Sequence, residues 1–261
     1  MNDLKVQFDN GSNYEKLMGT WSELIGGLFL DWLALPQKLE WLDDGCGNGD
    51  LTEMIIKRCS PERISGIDLS SELLNYARAR PHCQLASFEL GNAMNLPYVD
   101  KNFDVAVMAL VIFFLSEPAK GLSEMIRVVR SGGCVATYAW DMQDDLYPLA
   151  PINKQLFAMG RQQILPPNVN ASQTGYLHDL WVGANLQNVQ TKEFTVSNTF
   201  NTFDDYWNDA LLATSIKTVF NAMDPSDQEI MKEGVRKSIK VTTNNQVIVS
   251  AKANAVRGQV A

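Results

Sequence analysis

Three glycines at alternate positions follow a short apolar stretch that ends in two acids. The residues are Asp43-Asp44-Gly45-Cys46-Gly47-Asn48-Gly49, and a helical pattern begins at Leu51. Glycine allows positive φ angles and lets a ligand approach the backbone without a Cβ in the way. The start of the following helix directs unpaired N–H groups toward such a ligand. We therefore predict a strand, a tight turn and a helix that together bind a small ligand.

The spacing of the glycines bears on two ligand classes. Dinucleotide sites use Gly-x-Gly-x-x-Gly, with the pyrophosphate on the helix start. Here the spacing is Gly-x-Gly-x-Gly, and Asp50 occupies the position of the third dinucleotide glycine, where its carboxylate would repel a pyrophosphate. Asp43, before the first glycine, instead suits a ligand with a positively charged amine. A plain tight turn has a similar sequence, so the glycines alone leave the ligand open.

A further acid lies at the end of the next predicted strand, residues 63–70. Asp68 stands about 20 residues after the glycine turn, where an acid can hydrogen-bond the hydroxyls of a ribose. In a doubly wound sheet, ligands lie beyond the carboxyl ends of the strands. Asp68 or Ser70 can also simply cap the helix predicted at residues 71–79. The glycine turn and the strand-end acid together favour a nucleoside ligand more than either does alone.

The order of elements predicts an α/β fold. Further strands are indicated at residues 83–90, 103–110 and 134–140, with a helix through Arg127 before the last of them. Strands and helices thus alternate as far as Trp140, a pattern that gives a parallel sheet with helices on both faces. Before the glycine turn, residues 14–35 have apolar residues at helical spacing, with a break suggested at Gly26-Gly27.

The motifs resemble those of class I S-adenosylmethionine-dependent methyltransferases of the broad UbiE-like, type 11 group. The acid-x-Gly-x-Gly-x-Gly turn, the loop at residues 91–97 and the turn at residues 128–133 carry the resemblance, which covers residues 37–140. It implies a Rossmann-like, doubly wound, seven-stranded sheet in the order 3-2-1-4-5-7-6, with strand 7 antiparallel. It also implies S-adenosylmethionine as cofactor, S-adenosylhomocysteine as its product, and methyl transfer to a small-molecule acceptor.

The resemblance also implies which residues surround the cofactor. These are Trp21, Asp43, Gly45, Cys46, Gly47, Asp68, Leu69, Asn92, Ala93, Met94, Ala109 and Leu110. Asn92 stands where the family usually has an aspartate that binds the adenine amino group, and an asparagine carbonyl oxygen can accept the same hydrogen bond. Asp44 stands where the family has an apolar residue. If Asp44 is buried without a donor, its ionised form is costly and its pKa rises.

The domain organisation follows from the same reading. We expect a single domain over residues 1–261, with lid helices in residues 1–36 and a cofactor-binding core in residues 37–140. Residues 141–176 and 200–240 interrupt the regular alternation and are expected to form cap inserts around the acceptor. Tyr14, Phe113 and Tyr147 are predicted to line that acceptor pocket, although Phe113 can equally be ordinary core. The intervening chain supplies a helix at residues 177–184 and strands at residues 186–196 and 245–255.

Catalytic residues are harder to assign, because a sulfonium methyl is already activated and the enzyme mainly supplies proximity and orientation. A general base is needed only where the nucleophile must lose a proton. His178 and Asp141 are the candidates, since both lie near the inserts, although a surface or capping role for His178 is the favoured reading. Two other functions stay open: a non-catalytic protein that binds the cofactor in a structural or regulatory role, and a dinucleotide-dependent oxidoreductase, which Asp50 disfavours.

Composition excludes several classes of partner. The 261 residues are 46% hydrophobic and 20% charged, with a net charge of −8 and no basic cluster, so nucleic acid and anionic membranes are unexpected partners. No run of about 18 apolar residues is present, and the first residues do not resemble a signal peptide. Four scattered cysteines and two histidines predict no metal site and a cytoplasmic location. The oligomeric state stays open.

Overall fold

The computed structural model describes residues 11–144 and 146–261 of the chain. The α-helices in these ranges are α1 (Gly11–Leu33), α2 (Asp50–Cys59), α3 (Ser71–Ala79), α4 (Pro118–Val128), α5 (Ala150–Ala158), α6 (Thr174–Gly183), α7 (Phe203–Ala210), α8 (Thr214–Asn221) and α9 (Pro225–Ser238). The strands are β1 (Glu40–Asp44), β2 (Arg63–Asp68), β3 (Ala86–Leu90), β4 (Phe103–Ala109), β5 (Val129–Trp140), β6 (Gln187–Phe200), β7 (Lys240–Val241) and β8 (Val247–Gln259). Short 3₁₀ helices form at Cys83–Leu85, Ile112–Phe114 and Val169–Ser172.

The strands form one mixed sheet in the order β3-β2-β1-β4-β5-β8-β6, and β7 pairs with β8 beside this path. The pairs among β1 to β5 are parallel. β8 runs antiparallel to both of its main neighbours, β5 and β6. The predicted α/β fold and strand order are confirmed, because β8 takes the place of the predicted strand 7. The two-residue strand β7 is an addition that the sequence pattern did not indicate.

The centre of the sheet is buried on both faces. In β4, the consecutive residues Val105, Ala106, Val107 and Met108 are each at most 1% exposed. A strand covered by helices on both sides has no solvent face, which explains why β4 is apolar without alternation. The carboxyl ends of β1, β2 and β4 therefore lie together at one edge of a rigid core, which is where a ligand site is expected.

Helix α1 continues through Gly26 and Gly27, where the sequence suggested a break. Its buried face includes Trp21, Ile25 and Phe29, and this face packs into the core of the domain. Tertiary burial of this kind outweighs the low helix propensity of two glycines. No helix among the described residues is both long and apolar enough to cross a membrane.

Several boundaries differ from the predicted ones. The third strand begins at Ala86 because Cys83–Leu85 forms a 3₁₀ helix. β6 and β8 extend beyond the predicted strands because they pair with each other over most of their length, from Gln187 with Gln259 to Phe200 with Val247.

Candidate active site

The glycine turn between β1 and α2 has the backbone that the sequence predicted. Gly45, Gly47 and Gly49 have φ angles of 80°, 53° and 86°, which residues with a side chain rarely adopt. A Cβ on Gly45 would lie 2.5 Å from Val111 Cγ2, so this position also requires close packing. A Cβ on Gly47 would meet no atom within 4 Å, because the residue opens onto a cavity. The turn therefore presents bare backbone to any ligand in that cavity.

Asp68, at the end of β2, holds this turn in place. One carboxylate oxygen accepts a hydrogen bond from the Gly47 N–H at 2.9 Å, and the other accepts one from the Ser70 N–H at 2.8 Å. Burial raises the pKa of Asp68, and the two backbone donors oppose that rise. The helix cap that was an alternative for this position belongs to Ser70, whose Oγ accepts from the Leu73 N–H. Asp68 thus links the end of β2 to the glycine turn that follows β1, beside the cavity.

The two acids at the end of β1 differ in their partners. The Thr52 hydroxyl donates to Asp43 Oδ2 at 2.6 Å, whereas neither carboxylate oxygen of Asp44 has a hydrogen-bond partner among the described residues. Both side chains are fully buried. Burial raises the pKa of Asp43 to about 7. Burial, followed by repulsion from Asp43, raises the pKa of Asp44 well above its ordinary value.

These elements border a cavity of about 520 Å³, a size typical of small-molecule sites. Most of the residues predicted to surround a cofactor line it: Asp43, Gly45, Cys46, Gly47, Asp68, Leu69, Asn92, Ala93, Met94, Ala109 and Leu110. The three residues predicted for the acceptor pocket, Tyr14, Phe113 and Tyr147, line the same cavity. The structure thus brings the two predicted sets together in one space.

Trp21 is the exception among the predicted cofactor residues. It is 1% exposed and lies outside the cavity lining, with its ring edge-on to Trp140 at a centroid distance of 6.0 Å. The cavity is instead lined by Tyr14, Met18 and Ser22, which follow one another at four-residue intervals along α1. Trp21 is one residue from Ser22 and therefore turned about 100° toward the core. Trp21 therefore lies on the core-packing face of α1 and not among the residues that line the cavity.

Asp141 is likewise not at the cavity. Its Oδ2 accepts from Asn254 at 3.0 Å and pairs with Lys252 at 2.8 Å. Its Oδ1 accepts from the backbone N–H groups of Gln143 and Asp144. These donors hold the pKa of Asp141 below its ordinary value against the effect of burial. The carboxylate thus anchors the start of the first insert to β8, and the prediction of a catalytic base does not fit this position.

His178 lies on the exposed side of α6, with its Nδ1 at 3.2 Å from the carboxylate of its neighbour Asp179. The helix buries its other side through Leu177 and Trp181. His178 is outside the cavity lining, so the surface alternative describes it and the catalytic prediction does not. His178 is near the first insert in sequence, but it does not line the cavity.

The two inserts have different roles. Residues 141–176 supply lining side chains from Met142 to Pro166, including Pro148. Among the described residues of the 200–240 segment none lines the cavity; Tyr206 instead donates a hydrogen bond to the Pro148 carbonyl at 3.2 Å. The second insert therefore supports the first from behind, and of the two segments only the first has described residues that line the cavity.

Several lining residues were not predicted: Met18, Ser22, Trp140, Met142, Pro148, Leu149, Asn153 and Ile164. The four-residue periodicity from Tyr14 indicates Met18 and Ser22. Trp140 is the last residue of β5, at the edge of the sheet where ligands are expected, and this position also indicates it as a lining residue. The others lie in an irregular insert whose sequence contains no signal for the direction of its side chains.

An ionic cluster fixes α1 against the glycine turn. Arg80, at the end of α3, forms ion pairs with Glu15 of α1 and with Asp50 and Glu53 of α2. Its Nε donates to the Asn48 carbonyl at 2.7 Å, and Asn48 Nδ2 donates to Glu15 at 2.6 Å. Only 11% of the Arg80 side chain is exposed. This Arg80 cluster holds the lid segment around Tyr14 beside the cavity.

The residues present fit S-adenosylmethionine. Gly47 leaves room for a ligand to approach the protein backbone. The buried Oδ1 of Asp43 has no partner among the described residues. A carboxylate of this kind suits the ammonium group of the cofactor. Asp68 and Asn92 line the same cavity with acceptor oxygens, and Ala93 and Met94 offer apolar surface beside them.

Comparisons with known proteins agree with this reading. Residues 42–137 match the model of a family described as a methyltransferase domain. Demethylmenaquinone methyltransferase of Symbiobacterium thermophilum is 36% identical over 97 residues, 35% of this chain and 39% of that protein. Fatty-acid O-methyltransferase of Mycolicibacterium smegmatis is 33% identical over 92 residues, 35% and 34% of the two chains. The matched segment thus spans less than half of these curated relatives.

Among solved structures, Haemonchus contortus phosphoethanolamine N-methyltransferase 2, in complex with S-adenosylhomocysteine, aligns with a TM-score of 0.58 and 12% identity. The alignment covers 95% of this chain and 56% of that one, and at this identity it shows the shared fold alone. The strand order, the glycine turn and the match to the family model agree: residues 42–137 are similar to a methyltransferase domain, and the chain has the fold that a solved S-adenosylhomocysteine-bound methyltransferase shares.

Proposed function

We propose that the protein transfers the methyl group of S-adenosylmethionine to a small-molecule acceptor bound beside the cofactor. The observation that carries the proposal is the continuity of the cavity. At one end it is lined by the glycine turn and Asp68, and at the other by aromatic and aliphatic side chains from Phe113, Tyr147 and the first insert. Such an arrangement can hold a cofactor and an acceptor in contact with each other.

The cofactor supplies a methyl group already activated on a sulfonium, so the protein contributes binding and orientation. Asp68 is proposed to accept hydrogen bonds from ribose hydroxyls, because each carboxylate oxygen retains a lone pair beyond its backbone donor. Asn92 Oδ1 accepts from the Met94 N–H at 2.9 Å and can accept a second hydrogen bond, here from the adenine amino group. Leu69 and Leu110 supply apolar surface around the nucleoside.

The acceptor is proposed to lie against Tyr14, Phe113 and Tyr147. The Phe113 segment is positioned by the first insert, since the Phe113 carbonyl accepts from the Asn168 N–H at 3.0 Å. Asp141 and His178 lie outside the cavity lining. We therefore assign no general base, and the reaction that this geometry supports depends on proximity and orientation.

The test combines binding with turnover. Calorimetry with S-adenosylhomocysteine and with NAD(P) should show one site for the former and none for the latter. The acceptor panel begins with the compounds for which the two relatives are named, demethylmenaquinone and fatty acids. Mass spectrometry should detect a product heavier by one methylene group. Binding of NAD(P) alone would support an oxidoreductase, and cofactor binding with no product from any acceptor would support the non-catalytic alternative.

A further inference from the structure

No cationic side chain lines the cavity among the described residues, since the lining contains no lysine, arginine or histidine. Its ionisable side chains are the carboxyl groups of Asp43, Asp44, Asp50 and Asp68. We propose that the acceptor carries no negative charge on the part that enters the cavity. This inference rests on the proposed function and adds the charge class of the substrate to it.

Two cationic side chains of the surrounding structure are already neutralised. Arg80 is 11% exposed and is paired with Glu15, Asp50 and Glu53. Lys252 is paired with Asp141 and Asp144, with Nζ 2.8 Å from each carboxylate. Neither side chain can turn to a new anion without abandoning carboxylates that then remain uncompensated.

Within the described part of the chain, the acceptor end offers no cation that would balance an anion. Its walls include Phe113, Leu149 and Ile164, and the Nε1–H of Trp140, which has no partner among the described residues, is a neutral donor. The amide of Asn153, which also lines it, is engaged with the backbone of Ile164: Nδ2 donates to the carbonyl at 3.1 Å, and Oδ1 accepts from the N–H at 2.7 Å. A carboxylate or phosphate that entered would lose its water without gaining a cation.

Two effects therefore act against an anionic acceptor in the same direction. Loss of hydration disfavours any charged group in apolar surroundings, and an ionised carboxylate in the lining, such as that of Asp68, repels a negative one. An uncharged molecule with an apolar body experiences neither effect. Together we expect these effects to separate a neutral from an anionic ligand of equal size by at least about tenfold in affinity.

The test uses 4-butylphenol and 4-butylbenzoate, which share their apolar body and differ in charge at neutral pH. Both are titrated into the full chain saturated with S-adenosylhomocysteine, whose sulfur carries no positive charge. We expect 4-butylphenol to bind at least about tenfold more tightly. A smaller difference, or no binding of the phenol, overturns the inference. Failure of S-adenosylhomocysteine to bind in the first titration instead overturns the proposed function.

A matched pair of variants tests charge as the cause. Phe114 lines the cavity and is 37% exposed, so a longer polar side chain can be accommodated there. Phe114→Arg should bind 4-butylbenzoate at least about tenfold more tightly than Phe114→Gln does, because only the arginine supplies a cation. Equal affinities of the two variants for the benzoate would show that charge does not decide entry and would overturn the inference.

Discussion

The two ends that we propose for the cavity, one for the cofactor and one for the acceptor, are built by different means. The cofactor end uses backbone and carboxylates from short local segments, such as the turn at Gly45 and Gly47 and the strand end at Asp68. The acceptor end uses side chains from distant parts of the chain, such as Phe113, Trp140 and Ile164. Local sequence therefore determines the first end, and tertiary packing determines the second. Substitutions that affect one end should leave the other nearly unchanged.

The largest effect is expected at the Arg80 cluster, which joins α1 and α2 beside the glycine turn. Arg80→Met leaves Glu15 and Asp50 close together without the cation that pairs them, whereas Glu53 keeps its ion pair with Lys57. Removing one partner of a buried ionic group typically costs about 3–5 kcal/mol. We expect a loss of this size in the free energy of unfolding, measured by urea denaturation of the ligand-free protein.

Arg58→Met is the matched control for that experiment. Arg58 pairs with Asp31 at the surface, and their side chains are 41% and 66% exposed. An exposed pair of this kind contributes about 0–1 kcal/mol. If Arg58→Met destabilises the protein as much as Arg80→Met does, burial of the cluster is not what matters at this end of the cavity.

Asp68→Ala is expected to have the second-largest effect, and it tests the cofactor end through the binding of S-adenosylhomocysteine. The substitution removes the acceptor proposed for the ribose and also frees the Gly47 and Ser70 N–H groups. A hydrogen bond to a charged group contributes about 1.5–3 kcal/mol, so affinity for S-adenosylhomocysteine should fall roughly ten- to a hundredfold. Asp68→Asn keeps one carbonyl oxygen and should lose less. Calorimetry that shows unchanged affinity in Asp68→Ala would contradict the assignment.

Asp44 makes the cofactor end sensitive to pH. Burial raises its pKa in the folded protein, so the folded state keeps a proton that the unfolded chain loses near pH 4. Stability therefore falls as pH rises from that value toward the folded pKa. Asp44→Asn removes this titration. Between pH 5 and 7 the parent should lose stability more steeply than the variant, by up to about 1.4 kcal/mol per pH unit.

Denaturant curves at several pH values measure this difference in slope. Asp179→Asn serves as control, because Asp179 is 86% exposed and its replacement leaves the buried acids in place. Parallel pH profiles for the parent and Asp44→Asn would mean that Asp44 does not retain its proton in the folded state.

Phe113→Ala is expected to have the smallest effect and concerns the acceptor end. Phe113 is 3% exposed and packs edge-on to Phe114 at 4.7 Å between ring centroids. Its loss should weaken binding of an apolar acceptor about tenfold while affinity for S-adenosylhomocysteine stays within about threefold. Phe157→Ala, at a 71% exposed position outside the cavity lining, should change neither. Equal weakening of both ligands by Phe113→Ala would remove the distinction between the ends.

Much of the cofactor end could be predicted because its information is local. The glycine turn spans five residues with positive φ at three of them, and Asp68 and Asn92 each follow a recognisable strand. The strand order was predictable for the same reason, since alternating strands and helices have few ways to form a parallel sheet. The roles of individual side chains toward the cofactor stay predictions.

The errors concern orientation and long-range contact. A shift of one residue along α1 separates Ser22, which lines the cavity, from Trp21, which lies in the core. The same shift on α6 separates exposed His178 from buried Leu177. Asp141 was near the insert in sequence, but β8 supplies Lys252 and Asn254 as its partners more than 100 residues away. Neither the hydrophobic periodicity nor the motif spacing of the sequence indicates this pairing.

The position of β8 has a consequence for synthesis of the chain. β8 pairs with β5 from Cys134 to Trp140 and with β6 from Gln187 to Phe200, yet its own residues follow β6 by nearly fifty positions. A nascent chain that ends before Val247 therefore presents two open strand edges on the ribosome. Such edges are templates for pairing with other chains, and pairing across long sequence separation is slow. Closure of the sheet must therefore await the synthesis of β8, and until then the edges of β5 and β6 stay open.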